Sequence, residues 1–122
     1  MLFQRLLVIA FLFCFLAPLW AGAAESFLPE TQDIPLMEGL DVDSLETVSF
    51  DTPQGQIIVV KVSSAAVTEK QAAAFYDESL VALGFEKTAP DTYKRENDSF
   101  KLNVIRRAKP LTLRFDIFLS GQ

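Results

Sequence analysis

Between Leu111 and Ser120 the chain reads LTLRFDIFLS, with an apolar side chain at every second position. Successive strand residues point to opposite faces, so Leu111, Leu113, Phe115, Ile117 and Leu119 line one face. Thr112, Arg114, Asp116 and Phe118 line the other. The stretch SFKLNVIRR repeats the pattern, setting Phe100, Leu102 and Val104 against Lys101, Asn103 and Ile105. A sheet with one apolar face needs a cover, so the fold is restricted to a sheet and whatever packs on it.

Further strands are read on both sides of the chain's one helical pattern. GFEKT and TYKRE, bounded by the turn-forming APD and ND, are short and antiparallel to their neighbours, and AKP turns the chain into the last strand. Upstream, ETVSFDT alternates Val48 and Phe50 with polar residues, PQG turns at 53–55, and QIIVVKVSS is rich in β-branched residues. Together they read as a hairpin. Its second strand offers Ile58, Val60 and Val62 to one face and Ile57, Val59 and Lys61 to the other, as a central, two-sided strand does.

The cover is predicted between Thr68 and Gly84. Thr68 is a suitable N-cap, Gln71 stands three residues on to complete a capping box, and Glu69 complements the helix dipole. Gly84 is a natural C-terminal stop. Ala72, Phe75, Tyr76, Ser79, Leu80 and Leu83 fall on one helical face, while Lys70, Asp77, Glu78 and Val81 lie elsewhere. Phe75 and Tyr76 therefore read as core or rim, and Asp77 and Glu78 as solvated. The expected fold is α+β and two-layered: a curled antiparallel sheet of five to six strands with one amphipathic helix packed on one face, in the order β-β-α-β-β-β.

The first residues, MLFQRLLVIAFLFCFLAPLWAGAAES, have a different character. A single positive charge at Arg5, an apolar run from Leu6 to Leu16, Pro18 and small residues at 21–24 make the three-part layout of a secretory signal peptide. Cleavage after Ala23 or Ala24 fits the small-residue rule; an uncleaved membrane anchor is the alternative. The chain is accordingly divided into a signal peptide at 1–24, an acidic extended arm at 25–44 and a single α+β domain at 45–122. The arm contains Pro29, Pro35 and Gly39, and its DIPLMEGL cluster reads as a lid on the domain's own core. Cys14 is the only cysteine and departs with the signal, so the mature chain is held by packing without a disulfide.

Charge narrows the partners. The formal net charge is −5, and residues 25–60 carry eight acidic residues with no lysine or arginine. Such a chain lacks the phosphate contacts on which general nucleic-acid affinity rests. It has no attraction for anionic lipid, and no stable membrane insertion is expected once the signal is removed. Chemistry narrows further. With no histidine anywhere and no cysteine after Cys14, the common zinc, copper and haem ligands and the Cys–His or Ser–His nucleophiles are missing. Asp41, Asp43 and Glu46 in DVDSLE depart from calcium-loop spacing. Asp77 and Glu78 diverge by about 100° on a helix and do not face a common substrate. The cluster Arg106, Arg107 and Lys109 reads as edge protection at a hairpin turn, with a weak pull on the acidic arm as a second reading. No catalytic, cofactor or metal residue is nominated.

The series DIPLMEGL, VSFDTPQGQIIVVKV, AAAFYDESLVALGF, YKREN and LRFDIFLS resembles a group of small, uncharacterised secreted (periplasmic) proteins of Gram-negative bacteria. The matching positions are Pro35, Met37, Gly39, Leu40, Phe50 to Thr52, Gly55, Phe75, Tyr76, Leu80, Leu83 and Gly84; Phe85 stands where that group often has tryptophan. The resemblance implies export across the inner membrane to the periplasm and carries over no activity. The order of elements is also similar to small domains of envelope-assembly lipoproteins, an analogy of fold alone. The expected function is a non-catalytic binding or adaptor domain for a protein partner, through a surface of Lys101, Ile105, Arg114, Asp116 and Phe118. The alternative is a carrier or sensor of small apolar ligands, with a pocket between helix and sheet at Phe75, Tyr76 and Tyr93. An enzyme ranks below both.

Overall fold

The structure, a computed structural model, describes residues 26–121. The segment read as a signal peptide and Glu25 lie outside the described residues. No helix among the described residues is long and apolar enough to cross a membrane. The protein is an α+β fold with strands β1 (Asp41–Val42), β2 (Val48–Thr52) and β3 (Gly55–Ser64), helix α1 (Glu69–Ala82), and strands β4 (Glu86–Ala89), β5 (Thr92–Arg95), β6 (Asp98–Arg106) and β7 (Leu111–Ser120). The sheet has seven strands where five to six were expected, because the two-residue β1 and four strands after the helix all pair. Its order is β1-β3-β7-β6-β5-β4, and β2 shares with β1 the edge of β3 that faces away from β7. Every pairing is antiparallel.

Register converts the period-two pattern into rows of side chains across the inner face. Ile58 pairs with Ile117, which pairs with Phe100, which pairs with Tyr93. The next row is Val60, Phe115 and Leu102, and the third is Val62, Leu113 and Val104. All but Val104 are buried, and Val104 packs against the others. β3 enters this arrangement through a glycine: a Cβ at Gly55 would collide with the Leu119 carbonyl oxygen, so the hairpin turn closes on β7 only without a side chain there.

The helix begins as its sequence dictates. The Gln71 amide donates to Thr68 Oγ1 at 3.2 Å and the Thr68 amide donates to Gln71 Oε1 at 3.0 Å, the reciprocal bonds of a capping box. It ends in a Schellman motif around Gly84, at φ 93°: the Phe85 amide reaches the Leu80 carbonyl at 2.9 Å and the Gly84 amide reaches that of Val81 at 3.0 Å. The last turn contains no basic residue. Arg95 on β5 supplies the missing cation, donating to the Leu83 carbonyl at 3.0 Å with its guanidinium 4.4 Å from the centre of the Phe85 ring. Ala72, Tyr76 and Leu80 form the buried stripe, with Phe75 and Leu83 packed beside them.

The acidic segment is ordered, and it belongs to the core. Residues 26–40, read as part of an extended arm whose DIPLMEGL cluster lies on the core as a lid, fold back on themselves through bonds from the Leu28 amide to the Ile34 carbonyl (2.8 Å) and from the Leu36 amide to the Ser26 carbonyl (2.7 Å). Leu28, Ile34 and Leu40 are buried in the same cluster as the sheet rows, each adding roughly 1.5–3 kcal/mol by burial. Position is set by two side chains. The Tyr76 hydroxyl donates to the Pro35 carbonyl at 2.9 Å and accepts from the Met37 amide at 3.2 Å. Arg95 Nη1 bonds Asp33 at 3.0 Å while Nη2 reaches Asp98 at 3.2 Å. Burial works against the charge on Arg95, but Asp33 and Asp98 outweigh it and raise its pKa. The basic turn is therefore not what holds the arm: Arg107 pairs with Glu69 of the helix at 3.0 Å, and Arg106 donates to the Lys109 carbonyl.

Two measurements test this arrangement. Leu80→Ala is expected to cost 2–5 kcal/mol in urea unfolding, as a buried leucine truncated in a packed row does. Tyr76→Phe strands the Pro35 carbonyl and the Met37 amide and is expected to cost about 1–3 kcal/mol, with faster amide exchange at Met37. Burial pushes the Tyr76 hydroxyl up to about 12 from an ordinary value of 10.0. A raised folded-state pKa contributes stability that is complete below pH 10 and is lost as pH climbs to about 12. Wild type should therefore lose about 1.4 kcal/mol per pH unit more than Tyr76→Phe across that window.

Candidate functional site

With the inner face filled by helix and arm, the residues nominated for function separate into two groups. Phe75, Tyr76 and Tyr93, expected to wall a pocket between helix and sheet, are packing. Tyr76 is fully buried, with its ring centre 5.0 Å from that of Phe75, 5.6 Å from Phe100 and 4.8 Å from Phe115. Tyr93 packs edge-on against Phe100 at 6.2 Å. These are contact distances for aromatic rings, so the rings fill the space that a ligand would need. The Tyr93 hydroxyl donates to Asp77 at 2.8 Å, and Lys87 lies 3.2 Å from the same carboxylate. Asp77 is thus tied to β4 and β5 rather than merely solvated. Its pKa is held below the usual carboxylate range by the Tyr93 bond first and Lys87 second, while burial and then Asp77 push that of Tyr93 up.

Lys101, Arg114, Asp116 and Phe118 do come together, on the outer face. Register sets Lys101 opposite Asp116 and Arg114 opposite Asn103, with Phe118 between Ser99 and Ile57. Asp116 accepts from Arg114 Nε at 3.0 Å, Arg114 Nη2 at 3.2 Å and Asn103 Nδ2 at 2.9 Å. Its carboxylate is saturated with donors and acts as a rigid strut for the arginine. Ile105 lies at the Arg114 end of this surface, away from Phe118. It falls in a bulge between Val104 and Arg106, two residues from Asn103, the partner of Arg114, and six residues, thus about 20 Å, along β6 from Ser99, the partner of Phe118.

Four apolar residues complete the surface in place of Ile105. The hairpin register pairs Val48 with Val59 and Phe50 with Ile57, and β7 continues the second row with Phe118. Val48, Phe50, Ile57, Val59 and Phe118 form one block across three strands, with Val48 and Phe50 about half exposed (51% and 49%). A groove of about 410 Å3 runs from Ile57, Val59 and Phe118 towards Thr92, Lys94, Ser99 and Lys101. Lys94 and Lys101 make no ion pair among the described residues, which leaves two amines along one flank. On the opposite flank, β1 and the loop after it carry Asp41, Asp43 and Glu46, while Asp51 of β2 turns to the inner face. The face grades from basic through apolar to acidic.

The sequence signal for these four was present but incomplete. Ile57 and Val59 were placed on the second face of β3 by alternation alone. Putting Val48 and Phe50 beside them needs the turn to be the two residues Pro53 and Gln54, since a one-residue slip sends them to the other face.

Among the described residues no group of histidine, cysteine or carboxylate side chains is arranged to hold a metal ion. Comparison of the chain with protein-family models, with curated proteins and with solved structures finds no match. The surface therefore has to be understood from its own chemistry. Phe115 and Phe118 lie on opposite faces of one strand, and truncation separates their roles. Phe115→Ala is expected to cost 3–5 kcal/mol in urea unfolding, whereas Phe118→Ala should cost under about 1.5 kcal/mol and leave the fold intact.

Proposed function

We propose that this chain is a non-catalytic binding or adaptor domain of the cell envelope, whose outer sheet face holds a protein partner. The observation that supports it is the apolar block of Val48, Phe50, Ile57, Val59 and Phe118, which the described chain leaves uncovered. Antiparallel sheets that face water present polar side chains there, so an apolar block on such a face incurs a solvation cost unless something binds it. Its surroundings suit protein: an apolar centre, an arginine held rigid by Asp116, and charges confined to the rim. The leader-like N-terminal sequence supports export, with the periplasm as the compartment.

A carrier of small apolar ligands is the second reading, favoured by the groove's volume, which falls within the span of small-molecule sites. It is weakened by the shape, since the groove lies open along a sheet face and would bury little of a small ligand. The space between helix and sheet is taken by Tyr76, Phe100 and Phe115.

The test is crosslinking and capture of C-terminally tagged protein from its host's envelope fraction, with the Phe118→Ala variant run in parallel. One stoichiometric protein lost at least tenfold in the variant is the expected result. Capture that survives Phe118→Ala removes the outer face from the reading. A small molecule that co-purifies in native mass spectrometry, with no protein captured, moves the function to the carrier.

A further inference from the structure

The two outermost strands of the sheet end it in different ways. β4 has four residues and a register shift between Lys87 and Ala89, two of the devices that stop a sheet from growing. β2 has neither. Its five residues pair with β3 in unbroken register, and Val48–Thr52 contains no proline and no lysine. In an antiparallel ladder alternate residues turn their N–H and C=O groups away from the partner, so β2 presents a row of backbone donors and acceptors with no strand on them among the described residues.

What surrounds that edge states what would fit it. On the outer face, Phe50 ends the apolar row that runs through Ile57 to Phe118, and Val48 ends the neighbouring row that runs through Val59 to Asp116. On the inner face, Ser49 and Asp51 are exposed, opposite Ile58 and Gln56 of β3, while Asp41, opposite Ser63, and Glu46, beside Lys61, lie further along the same edge towards the outer face. Residues 41–52 hold four carboxylates and no lysine or arginine. Among the described residues, the cation that pairs with one of them is Lys61, 3.9 Å from Glu46. A second copy of the chain would bring its own Asp51 onto the strand paired with β2, and like charges on paired strands oppose pairing.

We propose that the β2 edge receives an extended segment of the partner as an additional strand, one that alternates apolar and basic residues. Backbone hydrogen bonds to β2 supply the register. The segment's apolar side chains extend the rows of Val48 and Phe50 on the outer face, and its basic side chains lie on the opposite face beside Asp51. The inference rests on reading the chain as a binding domain and adds the chemistry of what it binds.

The probe is a ten-residue peptide alternating valine and lysine; its control is the same composition arranged as a block of valines followed by a block of lysines. Titrated by fluorescence anisotropy into the purified protein, the alternating peptide is expected to bind at least tenfold more tightly than its block isomer. Asp51→Lys should weaken it at least fivefold, and amide exchange at alternate residues of Val48–Thr52 should slow at least fivefold on binding. Equal affinity for the two peptides overturns the proposal, because charge alone then explains binding. So does binding that leaves β2 exchange unchanged. Protection of β2 that appears without peptide, together with a dimer in sedimentation, also overturns it by making a second copy the occupant. Phe118→Ala distinguishes this failure from that of the adaptor reading: it should abolish capture of the envelope partner yet change peptide affinity less than twofold, since Phe118 lies two strands from the edge.

Discussion

The buried hydroxyl of Tyr76 is the constraint on which the arrangement depends. A phenol taken out of water must find partners or forfeit a hydrogen bond in a dry core, and here both partners come from the N-terminal segment, the Pro35 carbonyl and the Met37 amide. The ring of the same residue packs between Phe75 of its own helix and Phe100 and Phe115 of the sheet. One side chain thus joins three parts of the chain that share no strand pairing. Arg95 does comparable work at the other end of the helix, connecting Asp33, the Leu83 carbonyl and Asp98. The acidic segment is consequently part of the cover, and the core extends to residues that precede the first strand.

That cover accounts for where function can reside. A helix of fourteen residues is about 21 Å long, and with residues 26–40 it suffices for one face of the sheet. The inner rows are filled with Tyr76, Phe100, Phe115 and aliphatic side chains, and all buried side-chain polar atoms among the described residues are hydrogen-bonded. The outer face and the β2 edge remain. Their combination of an apolar block, two unpaired lysines and a carboxylate-lined edge is organised by register rather than by any single strand.

How much of this could be read beforehand depended on the range of the interaction. Lys101, Arg114, Asp116 and Phe118 could be assigned to one surface because alternation acts within a strand and adjacent strands share their pleat. Ile105 obeyed the same count but lies six residues along β6 from the partner of Phe118 and falls in a bulge, so it has no direct partner on β7. Phe75, Tyr76 and Tyr93 were identified as helix-to-sheet residues, while the question of pocket or packing turned on ring separations that depend on how closely two elements approach. Arg106, Arg107 and Lys109, the densest basic run, read first as edge protection and only second as a weak pull on the arm. Arg95 prevailed because β5 delivers it to the end of α1, a placement that no linear spacing expresses.

The amino-acid sequence by itself determined the helix with its capping box and glycine stop, the strand alternation, and the α+β class. Each of these rests on groups within a few residues of one another, where covalent geometry limits the choices. Tertiary structure alone decided that Leu28 joins the core and how the DIPLMEGL lid is seated on it, that Val48 and Phe50 look outward beside Ile57, Val59 and Phe118, and that Arg95 holds both the arm and the helix end. Those outcomes join residues far apart in the chain, such as Asp33 and Arg95, which are separated by 62 positions. Which partner such a residue finds is settled by the register of strands and the packing of layers, because burial rewards any apolar or satisfied neighbour and the fold determines which one is within reach.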